Sequence, residues 1–139
     1  AVDRQDLDQL FLAELAAHGA AAVEKLAEAL AAMHALPFFH ADVKGFHAFP
    51  TGVERAAGGA ASYRLRWIDL GRVSFWMSPR KRVINLYQAL RFILPRDPQM
   101  QGRFVDRYCA AAEWSRPERV LKKVRRFLDY KLRTQSDVR

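Results

Sequence analysis

The chain has a single cysteine, Cys109, and no apolar run that approaches the roughly 20 residues of a membrane-crossing helix. One cysteine excludes an internal disulfide, and the short apolar runs predict no transmembrane segment. Internal repeats and long low-complexity segments are also lacking. A sequence of 139 residues with these properties is predicted to form one domain around a single core.

Acidic residues are scarce towards the C-terminus. Residues 116–133 contain eight basic and two acidic side chains, whereas residues 1–30 contain two basic and six acidic ones, and the net charge is +8. Arg80, Lys81 and Arg82 form a second basic cluster. Such stretches favour an anionic partner, either nucleic acid, an acidic membrane surface or a phosphorylated substrate; an ordinary solvated helix face is the alternative.

Apolar residues recur with the spacing of amphipathic helices near both ends of the chain. Two of these segments run up to a proline, Pro37 and Pro95. In the last segment Ser115 is predicted to be the N-cap, because Glu118 follows three residues later with the spacing of a capping box. The predicted helices cover residues 7–15, 23–36, 83–94, 101–112 and 115 onward.

The helical period is lost after Phe38, and short strands are predicted in the middle of the chain. Turns are predicted at residues 50–52, which read Pro-Thr-Gly, and at residues 58–59, which are both glycine. Residues 63–67 alternate apolar with basic side chains, as a half-buried strand does. The predicted fold is therefore mainly α with a small β-hairpin region.

The stretch FFHADVKGFHAF places His40, Asp42, Lys44 and His47 within eight positions. A second aspartate, Asp69, follows the alternating strand and precedes a Leu-Gly turn. Two carboxylates at strand ends suit metal-assisted phosphoryl transfer, because one can orient an attacking hydroxyl while the other holds Mg²⁺ against the phosphates. Each aspartate taken alone is better explained as a turn former.

Taken in order, these motifs resemble those of protein-kinase-like enzymes. Residues 40–47 read His-x-Asp-x-x-x-x-His and resemble the kinase catalytic loop, and residues 68–71 read Ile-Asp-Leu-Gly and resemble the metal-binding Asp-Phe-Gly turn. Most such kinases have asparagine where this chain has His47. With Arg72 after the turn and a basic terminal helix, the pattern is similar to the bacterial lipopolysaccharide kinases, which phosphorylate heptose or Kdo sugars of the inner core.

The resemblance implies roles for the residues of the two motifs. Asp42 would be the catalytic base that accepts the proton of the sugar hydroxyl, and Asp69 would bridge Mg²⁺ to the phosphates of ATP. His47 would occupy the second metal-ligand position, or would orient Asp69 or a phosphate, since imidazole is a poor ligand for Mg²⁺. Lys44 would neutralise the charge on the transferring phosphoryl group.

Two neighbouring residues receive supporting roles from the same resemblance. His40 is expected to pack against the metal-binding turn and to support the loop through hydrogen bonds rather than to take part in the chemistry. Arg72 is expected to contact an anionic substrate, and a salt bridge at the strand end is an equally good explanation for it.

The resemblance also implies a particular part of a larger enzyme. Residues 1–139 are expected to form a single kinase-like C-terminal lobe, because no Gly-rich loop, strand lysine or paired helix glutamate precedes Asp42. The N-terminal nucleotide-binding lobe is predicted to be absent from this chain, which alone would be inactive. The implied partners are ATP, Mg²⁺, the lipopolysaccharide acceptor and the anionic inner membrane, at whose cytoplasmic face the enzyme would be peripheral; nucleic acid is not expected.

Two functions of other classes stay open on the sequence. A non-catalytic module could bind nucleic acid or an anionic surface through the basic terminal helix, and its binding would not need Asp42 or Asp69. A kinase-like phosphotransferase could instead act on small alcohols or aminoglycosides, although such enzymes more usually keep asparagine at position 47.

The remaining histidines and aromatic residues receive structural interpretations. His18 and His34 are predicted to lie on helix surfaces or at helix ends, without convergent partners. Phe75, Trp76 and Phe92 are predicted to belong to an aromatic core, and a membrane-facing surface next to the basic cluster is the alternative.

Overall fold

The computed structural model describes residues 13, 16, 17, 19–41, 43, 48–55, 61–67, 73–94 and 96–135. Within these residues helix predominates, which confirms the predicted mainly α fold with a small β-hairpin region. Most of the helix predicted over residues 7–15 lies outside the described part. The elements are α1 (Ala20–Ala35), β1 (Phe39–His40), β2 (Ala48–Arg55), β3 (Ala61–Trp67), β4 (Val73–Ser74), α2 (Pro79–Phe92), α3 (Pro98–Ala111) and α4 (Pro117–Thr134).

Proline begins each of the last three helices, where its missing N–H costs no hydrogen bond. Ser78 caps α2 by accepting a hydrogen bond from the Lys81 N–H at 3.2 Å, and Asp97 caps α3 in the same manner. The capping box predicted at Ser115 is wrong, because α4 begins at Pro117 and its N-cap is Arg116. A residue before proline avoids the α-helical region, so Arg116 cannot be the first helical residue.

The helices pack in pairs around one hydrophobic core. Helix α1 lies against α3, α2 lies against α4, and α4 also contacts α3. Fully burying a leucine or phenylalanine side chain contributes about 1.5–3 kcal/mol to the free energy of unfolding, so these contacts stabilise the packing of the four helices. The side chains with almost no exposure include Leu26 and Leu30 of α1, Leu86 and Leu90 of α2, Phe104 and Tyr108 of α3, and Val124 of α4.

The strands form two separate antiparallel ladders. In the first, β1 pairs with β4 so that His40 faces Val73, and in the second, β2 pairs with β3. The turn predicted at residues 50–52 is wrong, since these residues lie within β2 and the register shifts between Thr51 and Glu54. A two-stranded ladder has only edge strands, where a proline is tolerated because one side of each strand needs no pairing.

Candidate functional site

The two ladders are joined by the segments that carry the kinase-like motifs. Residues 41–47 connect β1 to β2, and residues 68–72 connect β3 back to β4, the strand that pairs with β1. Both connections therefore join the same pair of ladders. Of the predicted site residues, the structure describes His40; the others, Asp42, Lys44, His47, Asp69 and Arg72, lie outside the described residues.

A glutamine of α2 binds the backbone on both sides of position 42. The Gln88 amide nitrogen donates to the carbonyl of Ala41 at 2.8 Å, and the Gln88 amide oxygen accepts from the N–H of Val43 at 3.2 Å. Val43 is completely buried in the core. One side chain on a rigid helix thus fixes the peptide groups that precede and follow the predicted base.

Asn85, one turn before Gln88 on α2, extends this connection into the core. Its amide nitrogen donates to the carbonyl of His40 at 2.7 Å and to the Gln88 amide oxygen at 3.0 Å. His40 is completely buried and pairs with Val73. Because a backbone carbonyl can only accept, the Asn85 amide nitrogen must face His40, and its oxygen must face the opposite way.

His34 lies on that opposite side and near a helix end, in the last turn of α1, as one of the two predicted positions required, but the prediction that it has no convergent partners is wrong. It is 1 % exposed, with Nε2 2.8 Å from the Asn85 amide oxygen and Nδ1 2.6 Å from the Tyr108 hydroxyl. Since the amide oxygen only accepts, Nε2 carries the proton, and Nδ1 accepts from the hydroxyl. The hydrogen bonds therefore run in one direction from Tyr108 through His34 and Asn85 to the carbonyl of His40.

Burial keeps His34 and Tyr108, the two titratable members of this series of hydrogen bonds, uncharged. Removal from water lowers the pKa of His34 from 6.5 to about 4, an effect that the hydrogen bond to Asn85 partly opposes and the nearby Arg82 charge reinforces. Burial also raises the pKa of Tyr108 from 10.0 to about 12. Both groups are thus neutral near pH 7, as the direction of the hydrogen bonds requires.

The depressed pKa of His34 predicts a loss of stability in mild acid. In the unfolded chain His34 binds a proton near pH 6.5, whereas in the folded protein it binds one only near pH 4. Protonation therefore favours the unfolded chain as the pH falls, and the full unfolding free energy is present only above about pH 6.5. About 3 kcal/mol of unfolding free energy should be lost as the pH falls from 6.5 towards 4. Denaturant unfolding at several pH values measures this loss. The His34→Gln variant should show a shallower pH dependence, and an unchanged one would contradict the assignment to His34.

Sequence reasoning missed the three side chains that hold the loop, although their pattern was visible. Asn85 and Gln88 are three residues apart within the apolar stripe of α2, and His34 follows Leu30 by four residues on the apolar face of α1. Polar side chains on a buried helix face require hydrogen-bond partners. Such positions indicate a buried polar network, even though the sequence does not identify its members.

The aromatic residues after β4 are exposed, so the predicted aromatic core is wrong for them. Phe75 and Trp76 are 76 % and 66 % exposed, and Phe92 at the end of α2 is 42 % exposed. The Lys81 ammonium lies 4.4 Å from the centre of the Trp76 ring and donates to the Trp76 carbonyl at 3.0 Å. The alternative of an outward-facing aromatic surface next to the basic cluster is therefore favoured.

Metal-binding clusters and membrane-crossing helices are absent from the part of the chain that the structure describes. There, no group of three or more His, Cys, Asp or Glu side chains is arranged to hold a metal ion, and no helix is long and apolar enough to cross a membrane. The predicted Mg²⁺ ligands Asp69 and His47 lie outside that part. Their donor atoms differ in suitability, because the carboxylate of Asp69 fits Mg²⁺ well and the imidazole of His47 does not.

Comparison with known proteins gave no match to any family model, to any curated protein or to any solved structure.

Proposed function

We propose that the chain is the catalytic half of an ATP-dependent and Mg²⁺-dependent kinase that phosphorylates a sugar hydroxyl of the lipopolysaccharide inner core, on heptose or Kdo. The observation that carries the proposal is the attachment of residues 40–43 to α2 by Asn85 and Gln88. A base must lie within hydrogen-bond reach of the proton it removes, and its backbone must therefore be fixed. The hydrogen bonds to Asn85 and Gln88 give this segment the fixed backbone that such a base needs.

The topology of the strands supports the same proposal. The segment with Asp42 leaves β1, and the segment with Asp69 returns to β4, which pairs with β1. Chain connectivity therefore allows the two carboxylates to act on one phosphoryl group from two sides. In kinase chemistry the protein contributes chiefly positioning and charge stabilisation, so a shared frame for two loops is the feature that this reaction needs.

In the proposed reaction Asp42 accepts the proton of the sugar hydroxyl while the hydroxyl oxygen attacks the γ-phosphorus of ATP. The bond between that phosphorus and the β,γ-bridging oxygen breaks, and ADP leaves. Lys44 compensates the charge on the transferred phosphoryl group, and Arg72 contacts an anionic part of the acceptor. Asp69 would hold Mg²⁺, which when bound neutralises the phosphates, while His47 orients Asp69 or a phosphate. His40 supports this loop from within the core, where its carbonyl accepts from Asn85.

The test is phosphoryl transfer from labelled ATP by the full-length protein that the gene encodes. With Mg²⁺, label should enter purified inner-core lipopolysaccharide that lacks core phosphate, and chelation of Mg²⁺ with EDTA should stop it. Label that enters aminoglycosides or small alcohols instead would assign the other phosphotransferase class. No transfer to any of these acceptors would contradict the proposal.

A further inference from the structure

A groove between α2 and α4 combines an apolar lining with cationic edges. Its volume is about 730 Å³. The apolar part of the lining includes Val83 and Ile84 of α2 together with Phe127 and Tyr130 of α4. Val83 is buried, whereas Tyr130 is 54 % exposed, so the lining reaches from the core to the surface. The groove is therefore open at the surface and apolar where it meets the core.

Four cations line the same groove: Arg80, Lys123, Arg126 and Arg133 are all exposed. Among the described residues none of the four belongs to an ion pair, and no aspartate or glutamate lines the groove. Cations grouped along one groove repel one another, so their grouping favours an anion between them.

A second depression extends this cationic surface along α4. It shares Lys123 and Arg126 with the groove and adds Arg116, Arg119 and Lys122. No acidic side chain of the described residues lines it either. The two acids of α4, Glu118 and Asp129, line a neighbouring depression that shares Arg126 and Arg133 with the groove.

We propose that the groove between α2 and α4 binds an anionic phospholipid at a membrane surface. The phosphate lies among Arg80, Lys123 and Arg126, and the upper part of an acyl chain lies against Ile84, Phe127 and Tyr130. Nucleic acid would use the cations but would leave the apolar lining unfilled, whereas a lipid uses both. A half-exposed tyrosine, with an apolar ring and a polar hydroxyl, suits the boundary between headgroups and acyl chains.

This inference deepens the proposed function and rests on it for the membrane as the location at which the protein acts. The groove itself is inferred only from the residues that line it. Binding in the groove also differs from a diffuse attraction of a positively charged protein to a negative surface. A diffuse attraction depends on net charge, whereas a site depends on particular residues. The experiment is designed to separate these two.

The experiment measures co-sedimentation with vesicles of phosphatidylcholine alone or with added phosphatidylglycerol, without ATP or acceptor. The unmodified protein should bind only the anionic vesicles. The Lys123→Gln/Arg126→Gln double variant should bind them about 30-fold more weakly, at about fivefold for each cation near the surface. Arg96→Gln/Arg103→Gln removes the same charge from exposed positions outside the groove and should bind within about threefold of the unmodified protein.

The apolar half of the site has its own variant. Tyr130→Ser keeps every charge, so it should weaken binding by an amount that added salt does not change, whereas the loss in the cation variant should shrink with salt. Tyr130, Lys123 and Arg126 are exposed, and unchanged thermal unfolding of each variant checks that the fold is intact.

Three outcomes would overturn the inference. Equal losses in the groove variant and the control variant would show diffuse attraction, and equal binding to both kinds of vesicle would exclude an anionic headgroup. Displacement from anionic vesicles by a single-stranded oligonucleotide at lower concentration than by the lipid itself would assign the surface to nucleic acid. Because the assay contains no ATP, a protein that transfers phosphate without binding vesicles contradicts only this inference, and the converse contradicts only the kinase proposal.

Discussion

Replacement of Asp42 by alanine is expected to lower phosphoryl transfer by about 10²–10⁴-fold and to leave ATP affinity nearly unchanged. The reason is that the proposed base contacts the attacking hydroxyl and not the nucleotide or the metal. The fold should survive, because the surrounding backbone is attached to α2 through the peptide groups of Ala41 and Val43, which the substitution leaves in place.

Replacement of Asp69 by alanine should give a loss of a different kind. A carboxylate that bridges Mg²⁺ to the phosphates contributes to nucleotide binding itself, so the affinity for the Mg²⁺ complex of ATP should fall together with turnover. Isothermal calorimetry measures the affinity, and transfer to inner-core lipopolysaccharide measures turnover. Asp106→Ala is the matched control, because it removes an exposed carboxylate of α3 far along the chain from both motifs.

Each of these two predictions has an outcome that would contradict it. Full transfer activity in Asp42→Ala would contradict the kinase assignment and would leave the crowded stretch as a polar turn. Unchanged nucleotide affinity in Asp69→Ala would remove the metal role from that residue. A loss of unfolding free energy in either variant, beyond that of Asp106→Ala, would show that the aspartate supports the fold.

The helices could be predicted from the sequence because local features decide them. Apolar spacing located α1 through α4, although the predicted beginnings at residues 83 and 101 fall after Pro79 and Pro98, where α2 and α3 begin. The error at Ser115 was also local: the restriction on a residue before proline outweighs a capping-box spacing, so the helix starts at Pro117.

The error at residues 50–52 has a different cause. Proline and glycine favour turns, but here they occur inside β2, where pairing with β3 extends over both sides of the register shift. The gain from a ladder of backbone hydrogen bonds depends on the partner strand, which local propensity does not describe.

The pairing of residues within the polar network could not be predicted, because its members are distant in sequence. His34 is 51 residues from Asn85 and 74 residues from Tyr108, and it meets them only when α1, α2 and α3 pack together. The motifs with Asp42 and Asp69 could be noticed because each is contiguous. The residues that fix such motifs in space belong to other elements, and only the packing of the helices identifies them.

Gln88 is the residue of this network whose replacement should affect transfer most strongly. In Gln88→Ala the backbone on both sides of position 42 loses its hydrogen bonds to α2. A displacement of about 1 Å of a catalytic group can cost about 10²-fold in rate, so kcat should fall by about 10–100-fold. The affinity for ATP should not change, because Gln88 acts as a positioning residue through the loop and touches neither nucleotide nor metal.

The cost to the fold should be modest by comparison. Gln88 is half-buried, and each hydrogen bond contributes about 1 kcal/mol net, so the unfolding free energy should fall by about 1–3 kcal/mol. Gln99→Ala is the matched control on α3, since the Gln99 side chain is exposed and has no hydrogen bond among the described residues. Its kcat and stability should both stay close to those of the unmodified protein.

Gln88→Glu separates the two hydrogen bonds of the side chain. A carboxylate still accepts from the Val43 N–H, but its other oxygen faces the Ala41 carbonyl oxygen and repels it, so kcat should fall at least as far as in Gln88→Ala. Steady-state kinetics at saturating ATP, together with calorimetric ATP affinity, give the required values. If Gln88→Ala lost stability but kept its kcat, Gln88 would only support the fold, and the attachment of the loop to α2 would have no part in catalysis.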